Sequence, residues 1–369
     1  RRVRCRPGDG AVAQGGRGRC VIRLRHGDSA LTLDPAVGNL PEWQVGGRHP
    51  LHAAPWRDEA AVQDDPDLPL VNKRLAGDFL CMPFGRDDID DGPIHGPTAN
   101  APWEVIRQDV AEAHLRLSVP VRDAKVDKLV QITGPVLYQT HRIEGGAGAV
   151  TFAHHPMIHM AEGGRLSFSP KRAVLTDPDP QYAGRNLWAL NQTRPVAGRD
   201  LRLACEDGTD WDLRHYPAGH VVEDFCLLVE ARGATVGWTV AMRNAEDDML
   251  VVLKDASQMP VTMLWVSNGG RDFSPWNGRH TGVLGIEDGC AMGGAGLAAA
   301  LGENRLTAMG VPTAMALGGT QVIRHAMVSL PRPPGWAEVA EVTLAKGQMT
   351  LTEVGGGQVS VPFDSGFFA

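Results

Sequence analysis

Short runs of alternating apolar and polar residues dominate this chain. WEVIRQDV (103–110) and AHLRLSV (113–119) alternate with few residues between them, and KLVQIT (128–133) and VLYQTHRIE (136–144) flank a Gly-Pro pair. A period of two places every second side chain on one face of a pleated strand, and a Gly-Pro between two such runs reads as a hairpin turn. AVTFAH, RLSFS, LRLAC, FCLLVEA, TVGWTVAM, MLVVLKD, VTMLWVS, TQVIRHAMVSL and AEVAEVTLA continue the series, and only GLAAALG (296–302) has clear helix composition. Strands at this spacing predict an all-β fold, a large antiparallel β-sandwich. With no internal repeat and no break in composition, residues 21–369 read as a single domain.

Composition narrows the class. Hydrophobic residues make up 43% and charged residues 21%, the balance of a soluble globular protein. Glycine (44) and proline (26) are spread throughout, which fits many turns rather than one linker. A net charge of −7 argues against nucleic acid and anionic membrane as partners, and no apolar run is long enough to span a bilayer. The exception is the arginine- and glycine-rich start, residues 1–20, which reads as a poorly ordered leader without the apolar segment of a signal peptide. The 6 cysteines are scattered with no C-x-x-C pair, as free thiols in a reducing compartment would be, and this places the protein in the cytoplasm.

Candidate chemistry starts at TFAHHPMIHM (151–160), which gathers His154, His155 and His159 from a total of 13 histidines. On a strand His155 and His159 would share a face and His154 the other, but Pro156 removes a ladder donor there. A metal would need further ligands from elsewhere, whereas proton transfer needs an opposing acid or base. Polar groups interrupt apolar strands at three other places, around Arg86 and His95, at Asp224, and at Glu287. The loop LWVSNGGRDFSPWNGRH (264–280) adds Trp265, Arg271, Trp276 and Arg279. Tryptophans offer flat apolar faces, and arginines can grip an anion bidentately. Gly294-Ala-Gly296-Leu-Ala-Ala299 fits G-x-G-x-x-A, but the fingerprint needs a βαβ unit and a distant acid, and the following run supplies neither.

In order and spacing these motifs resemble the aldose 1-epimerase, or galactose mutarotase-like, family from about Ala30 to Leu330. Ile94-His95-Gly96 followed by Trp103 is similar to its histidine-glycine substrate-binding turn, and His155-Pro156 to its H-P-Y-F-N segment. Asp224-Phe225 looks like its sugar-binding aspartate-aromatic pair, Glu287 in G-I-E-D like its catalytic glutamate, and Arg86 like its binding arginine. The resemblance implies a β-supersandwich and a mutarotase acting on a small sugar without metal or cofactor, with His155 as acid and Glu287 as base. Met157, Ile158 and His159 stand where the family has an aromatic pair and asparagine, so the pocket wall differs. Arg271 and Arg279 further suggest a sugar with an anionic substituent, and His159 a place in the pocket wall. Two other readings stay open, a non-catalytic carbohydrate-binding sandwich and a metal-dependent isomerase or hydrolase built on His154, His155 and His159.

Overall fold

The computed structural model describes residues 12–14 and 19–369. Two eight-stranded antiparallel sheets form the body. The first follows the order Thr193–Pro195, Lys171–Thr176, Val222–Glu230, Val261–Asn268, Val283–Cys290, Phe152–His154 and Leu80–Cys81, with Met157–His159 also paired to Val283–Cys290. The second runs Gly164–Phe168, Val236–Arg243, Asp248–Asp255, Gly319–Pro331, Val136–Gly145, Ala124–Thr133, Glu112–Leu117 and Trp103–Gln108. The expected all-β antiparallel sandwich is therefore the observed fold. The predicted hairpin closes with Thr133 opposite Val136, around Gly134 at φ 54°.

The central strands explain why their sequences are almost continuously apolar. FCLLVE, MLVVL and VTMLWV are buried along their length, because both faces of each sheet are covered. Between the sheets Cys226, Leu228, Leu250, Val252, Leu264 and Ile286 share one core. The outer face of the second sheet packs on the three-stranded sheet of Val339–Ala345, Gln348–Glu353 and Gln358–Pro362, through Trp238, Val251, Met349 and Leu351. The outer face of the first sheet is covered by the connections between strands. Trp56, Phe79, Phe84, Trp276 and Leu306 pack there on Phe225, Leu227, Met263 and Trp265. That covering is incomplete, and the gap in it is the cleft described below.

The covering carries short helices that alternation in the sequence does not reveal. Besides Leu297–Leu301, the segments Ala60–Asp64, Leu70–Lys73, Gly96–Asn100 and Arg305–Ala308 are helical. A single turn is too short to display a 3.6-residue period. The leader expectation falls mostly outside the described residues. Cys81, Cys205, Cys226 and Cys290 are buried free thiols. Among the described residues no helix is long and apolar enough to cross a membrane.

Candidate active site

Three neighbouring strands of the first sheet make the floor of a cleft of about 580 Å³. Their register sets Phe225 opposite Trp265, Trp265 opposite Gly285, and Met263 opposite Glu287. Strand alternation then sends Glu223, Phe225, Trp265 and Glu287 outward, and Asp224, Cys226, Leu264 and Asp288 into the sandwich. Gly285 is required by this packing. A Cβ there would stand 2.8 Å from Glu287 Oε1 and 3.1 Å from Trp265 Cβ.

His155 reaches the same floor because its strand is broken. Phe152–His154 and Met157–His159 both pair with Val283–Cys290, and His155-Pro156 links them outside the ladder. The His155 N–H donates to Phe79 O at 3.0 Å and to Asp78 Oδ1 at 2.9 Å. Its imidazole stacks on Phe79, with centroids 4.7 Å apart, and its Nε2 lies 3.0 Å from Glu287 Oε1. His95, held at φ 63° just before the Gly96–Asn100 helix, meets His155 edge-on at 5.3 Å. His95, His155 and Glu287 thus share one cleft with Arg86, Trp265, Arg271 and Trp276.

Burial governs the charges here. It draws the His155 imidazole down to about 4 and lifts Glu287 well above the usual carboxylate range, the nearby Arg271 charge opposing the rise in Glu287. Both trends favour neutral groups in a low-dielectric floor. The two groups lie in contact in that floor, at 3.0 Å. Burial likewise holds His95 neutral, helped by His155.

Several residues chosen from the sequence have other work. Asp224 points into the sandwich, where Oδ2 accepts from Leu187 N and Trp188 N at 2.7 and 2.8 Å, and Oδ1 accepts from Phe225 N. It does not line the cleft. Its neighbour Glu223, which the motif comparison passed over, faces the cleft side and accepts from Trp265 Nε1 and Ser267 Oγ. Arg279 is bound by Glu59 and lies over Trp56, outside the cleft lining. His159 sits near the surface beside Glu246 at 3.5 Å and stacks with His52. Arg271 does line the cleft, but Glu223 holds it at 2.9 Å. The pair of free arginines on which an anionic sugar was expected is not formed, because tertiary partners neutralise both.

The histidine cluster divides three ways. His155 enters the cleft, His159 turns towards the surface, and His154 enters the sandwich, where its Nδ1 lies 3.0 Å from Asp78 Oδ2. No common point is left for the three to hold a metal together. In the interior Asp78, His154 and His325 bring ligand atoms within 4.8 Å of one another. The two rings stack at 4.1 Å and 9°, so their nitrogen lone pairs lie in parallel planes rather than converging as tetrahedral ligands do. Through His325, whose Nε2 lies 3.5 Å from Asp288 Oδ2, these groups adjoin a buried set of carboxylates and lysines. Asp288 lies 2.9 Å from Lys254, Lys254 lies 3.1 Å from Glu230, and Lys171 also binds Glu230. Lys128, drawn by burial to about 8, completes the set beside Asp78.

Solved structures with the same fold are mostly aldose 1-epimerase or galactose mutarotase-like proteins. A galactose mutarotase related enzyme from Lactobacillus acidophilus superposes with a TM-score of 0.54 at 11% identity, over 85% of this chain and 98% of that one. A galactose mutarotase-like protein from Lactobacillus casei gives 0.51 at 10% identity, over 84% and 99%. The Slr1438 protein from Synechocystis gives 0.55 at 16% identity, over 84% and 96%. The chain thus has the galactose mutarotase-like fold. No family model and no curated protein matches the sequence.

Proposed function

We propose that this protein is a sugar mutarotase that interconverts the anomers of a free aldose by acid–base catalysis at His155 and Glu287. The observation that carries the reading is the 3.0 Å contact between His155 Nε2 and Glu287 Oε1 on the floor of an aromatic cleft. The fold of the named neighbours supports it.

The anomeric hydroxyl and the ring oxygen of a cyclic aldose are attached to one carbon. An acid and a base in contact with each other can therefore reach both. Glu287 as carboxylate takes the hydroxyl proton while His155 as imidazolium gives one to the ring oxygen. The carbon–ring-oxygen bond breaks, the carbonyl forms, and rotation about the adjacent carbon–carbon bond presents the other carbonyl face. Closure returns each proton by the reverse path. The pair begins and ends with one proton, and the reactive ion pair forms when that proton passes from Glu287 to His155 across the 3.0 Å contact, with Arg271 favouring the carboxylate against burial and Glu223. Each positioned proton transfer contributes about 10²–10⁴-fold. Trp265, Trp276 and Phe225 offer flat apolar surface to the sugar's C–H faces.

Anomer-exchange NMR over a panel of neutral and acidic aldoses tests the proposal. Exchange should exceed the spontaneous rate for at least one sugar and fall by at least about 10²-fold in Glu287→Gln. Exchange at the spontaneous rate for every sugar, in the presence of sugar binding, would leave a carbohydrate-binding sandwich instead.

A further inference from the structure

The cleft has a second polar wall that neither the histidine–glutamate pair nor the tryptophans explain. It begins where the strand Lys171–Thr176 ends, in the run Asp177-Pro178-Asp179-Pro180-Gln181-Tyr182, all of which line the cleft. Asp177 is only 7% exposed. Its Oδ2 accepts from Gly294 N at 3.1 Å and from Gln181 Nε2 at 3.4 Å. Its Oδ1 is buried and has no partner.

The pair Gly293-Gly294, whose second member opens the run that mimics a dinucleotide fingerprint, accounts for the seat. Gly293 stands at φ 63°, and a Cβ there would come within 2.7 Å of Asp177 Oδ1. A Cβ on Gly294 would lie 3.3 Å from Oδ2 and 2.9 Å from Gln181 Nε2. The turn therefore lets backbone approach the carboxylate closely and donate to one oxygen, while the other is buried without a donor. Burial lifts the Asp177 carboxyl to about 6, against the Gly294 hydrogen bond and the Arg305 charge. Such a desolvated acceptor is costly unless something donates to it.

We propose that Asp177 is a specificity-determining residue of the cleft, whose under-satisfied carboxylate accepts a hydrogen bond from a hydroxyl or ammonium group that the sugar carries away from its anomeric carbon. The inference rests on the cleft being a sugar site. It also sets a limit on the substrate, since a phosphate or carboxylate at that position would meet a like charge. Glu287 and His155 act at the anomeric carbon, and Asp177 selects the substituent pattern further along the ring.

The test compares wild type, Asp177→Asn and Asp177→Ala on glucose, galactose, their monodeoxy analogues and the corresponding aminohexoses. Binding is read by saturation-transfer NMR and turnover by anomer exchange. The expected result is one ring position at which removal of the hydroxyl costs wild type about ten- to a hundredfold in kcat/KM. The same removal should cost Asp177→Ala nothing further, with the loss in KM rather than kcat. A gain from an amino group at that position, present in wild type and absent in Asp177→Asn, would identify the donor as ammonium, and no gain identifies a hydroxyl. Equal losses in wild type and variant at every position overturn the assignment while leaving the mutarotase reading intact. A position-specific loss of binding without anomer exchange does the reverse.

Discussion

Arg271, in the cleft wall, forms an ion pair with Glu223 buried behind it, with Nη2 2.9 Å from Oε1 and the guanidinium 4.3 Å above the Trp276 ring. Glu223 is fully buried and also accepts from Trp265 Nε1 and Ser267 Oγ. The arginine is thereby a strut for the two tryptophans and a compensating charge, not a free anion receptor.

Removing one member of this pair should be far worse than removing both. Arg271→Met leaves a buried carboxylate without its cation and is expected to lose about 3–5 kcal/mol of stability. Arg271→Met/Glu223→Gln should recover a large part of it. Urea unfolding of the two variants measures the difference. Equal stability of single and double variants would remove Glu223 as the arginine's partner.

The opposite directions in which burial moves His155 and Glu287 set the expected pH profile. A second proton must go onto a pair whose imidazole burial has drawn down to about 4, and the last proton leaves a carboxyl that burial has pushed up. The expected kcat/KM stays level as pH falls through 6.5, the ordinary histidine value, and drops only towards about pH 4. The alkaline limb lies above the ordinary glutamate range. An acid limb centred between 6 and 7 would mean that an isolated imidazole, not the coupled pair, controls the reaction.

Asp224 and Arg279 should be silent in substrate binding, for different reasons. Asp224→Ala strands the N–H groups of Leu187, Trp188 and Phe225, and is expected to cost at least ~2 kcal/mol in stability with KM unchanged. Arg279→Ala frees the Glu59 pair outside the cleft lining and should alter KM for neither neutral nor acidic sugars. Steady-state exchange kinetics on both variants decide this, and a selective rise in KM for acidic sugars would restore Arg279 to the binding wall.

The buried carboxylates and lysines inside the sandwich predict a further sensitivity. Lys254 is buried between Asp288 and Glu230 and donates to Val261 O and Thr262 Oγ1. Lys254→Met should destabilise the protein by about 3–5 kcal/mol, because buried Asp288 loses its lysine while Glu230 keeps only Lys171. Thermal and urea unfolding provide the check, and a variant of wild-type stability would contradict the paired-charge account.

The sequence alone determined the β-sandwich, because alternation and turn residues report directly on whether one side chain in two is buried. It also picked out residues that meet in the cleft, His95, His155 and Glu287, because a polar group set among apolar runs is visible without coordinates. The direction in which each acid faces was decided only by tertiary structure. Glu223 and Asp224 are adjacent and chemically alike, and a one-residue difference in strand parity puts one behind the cleft-lining Arg271 and Trp265 and the other between the sheets. The same holds for His154 and His155, which the break at Pro156 separates between interior and cleft. Arg271, Arg279 and Asp177 belong to this second group too. Whether a charged side chain is free, neutralised or waiting for a donor depends on partners distant in the chain, such as Glu59, Glu223 and Gly294, that only folding brings together.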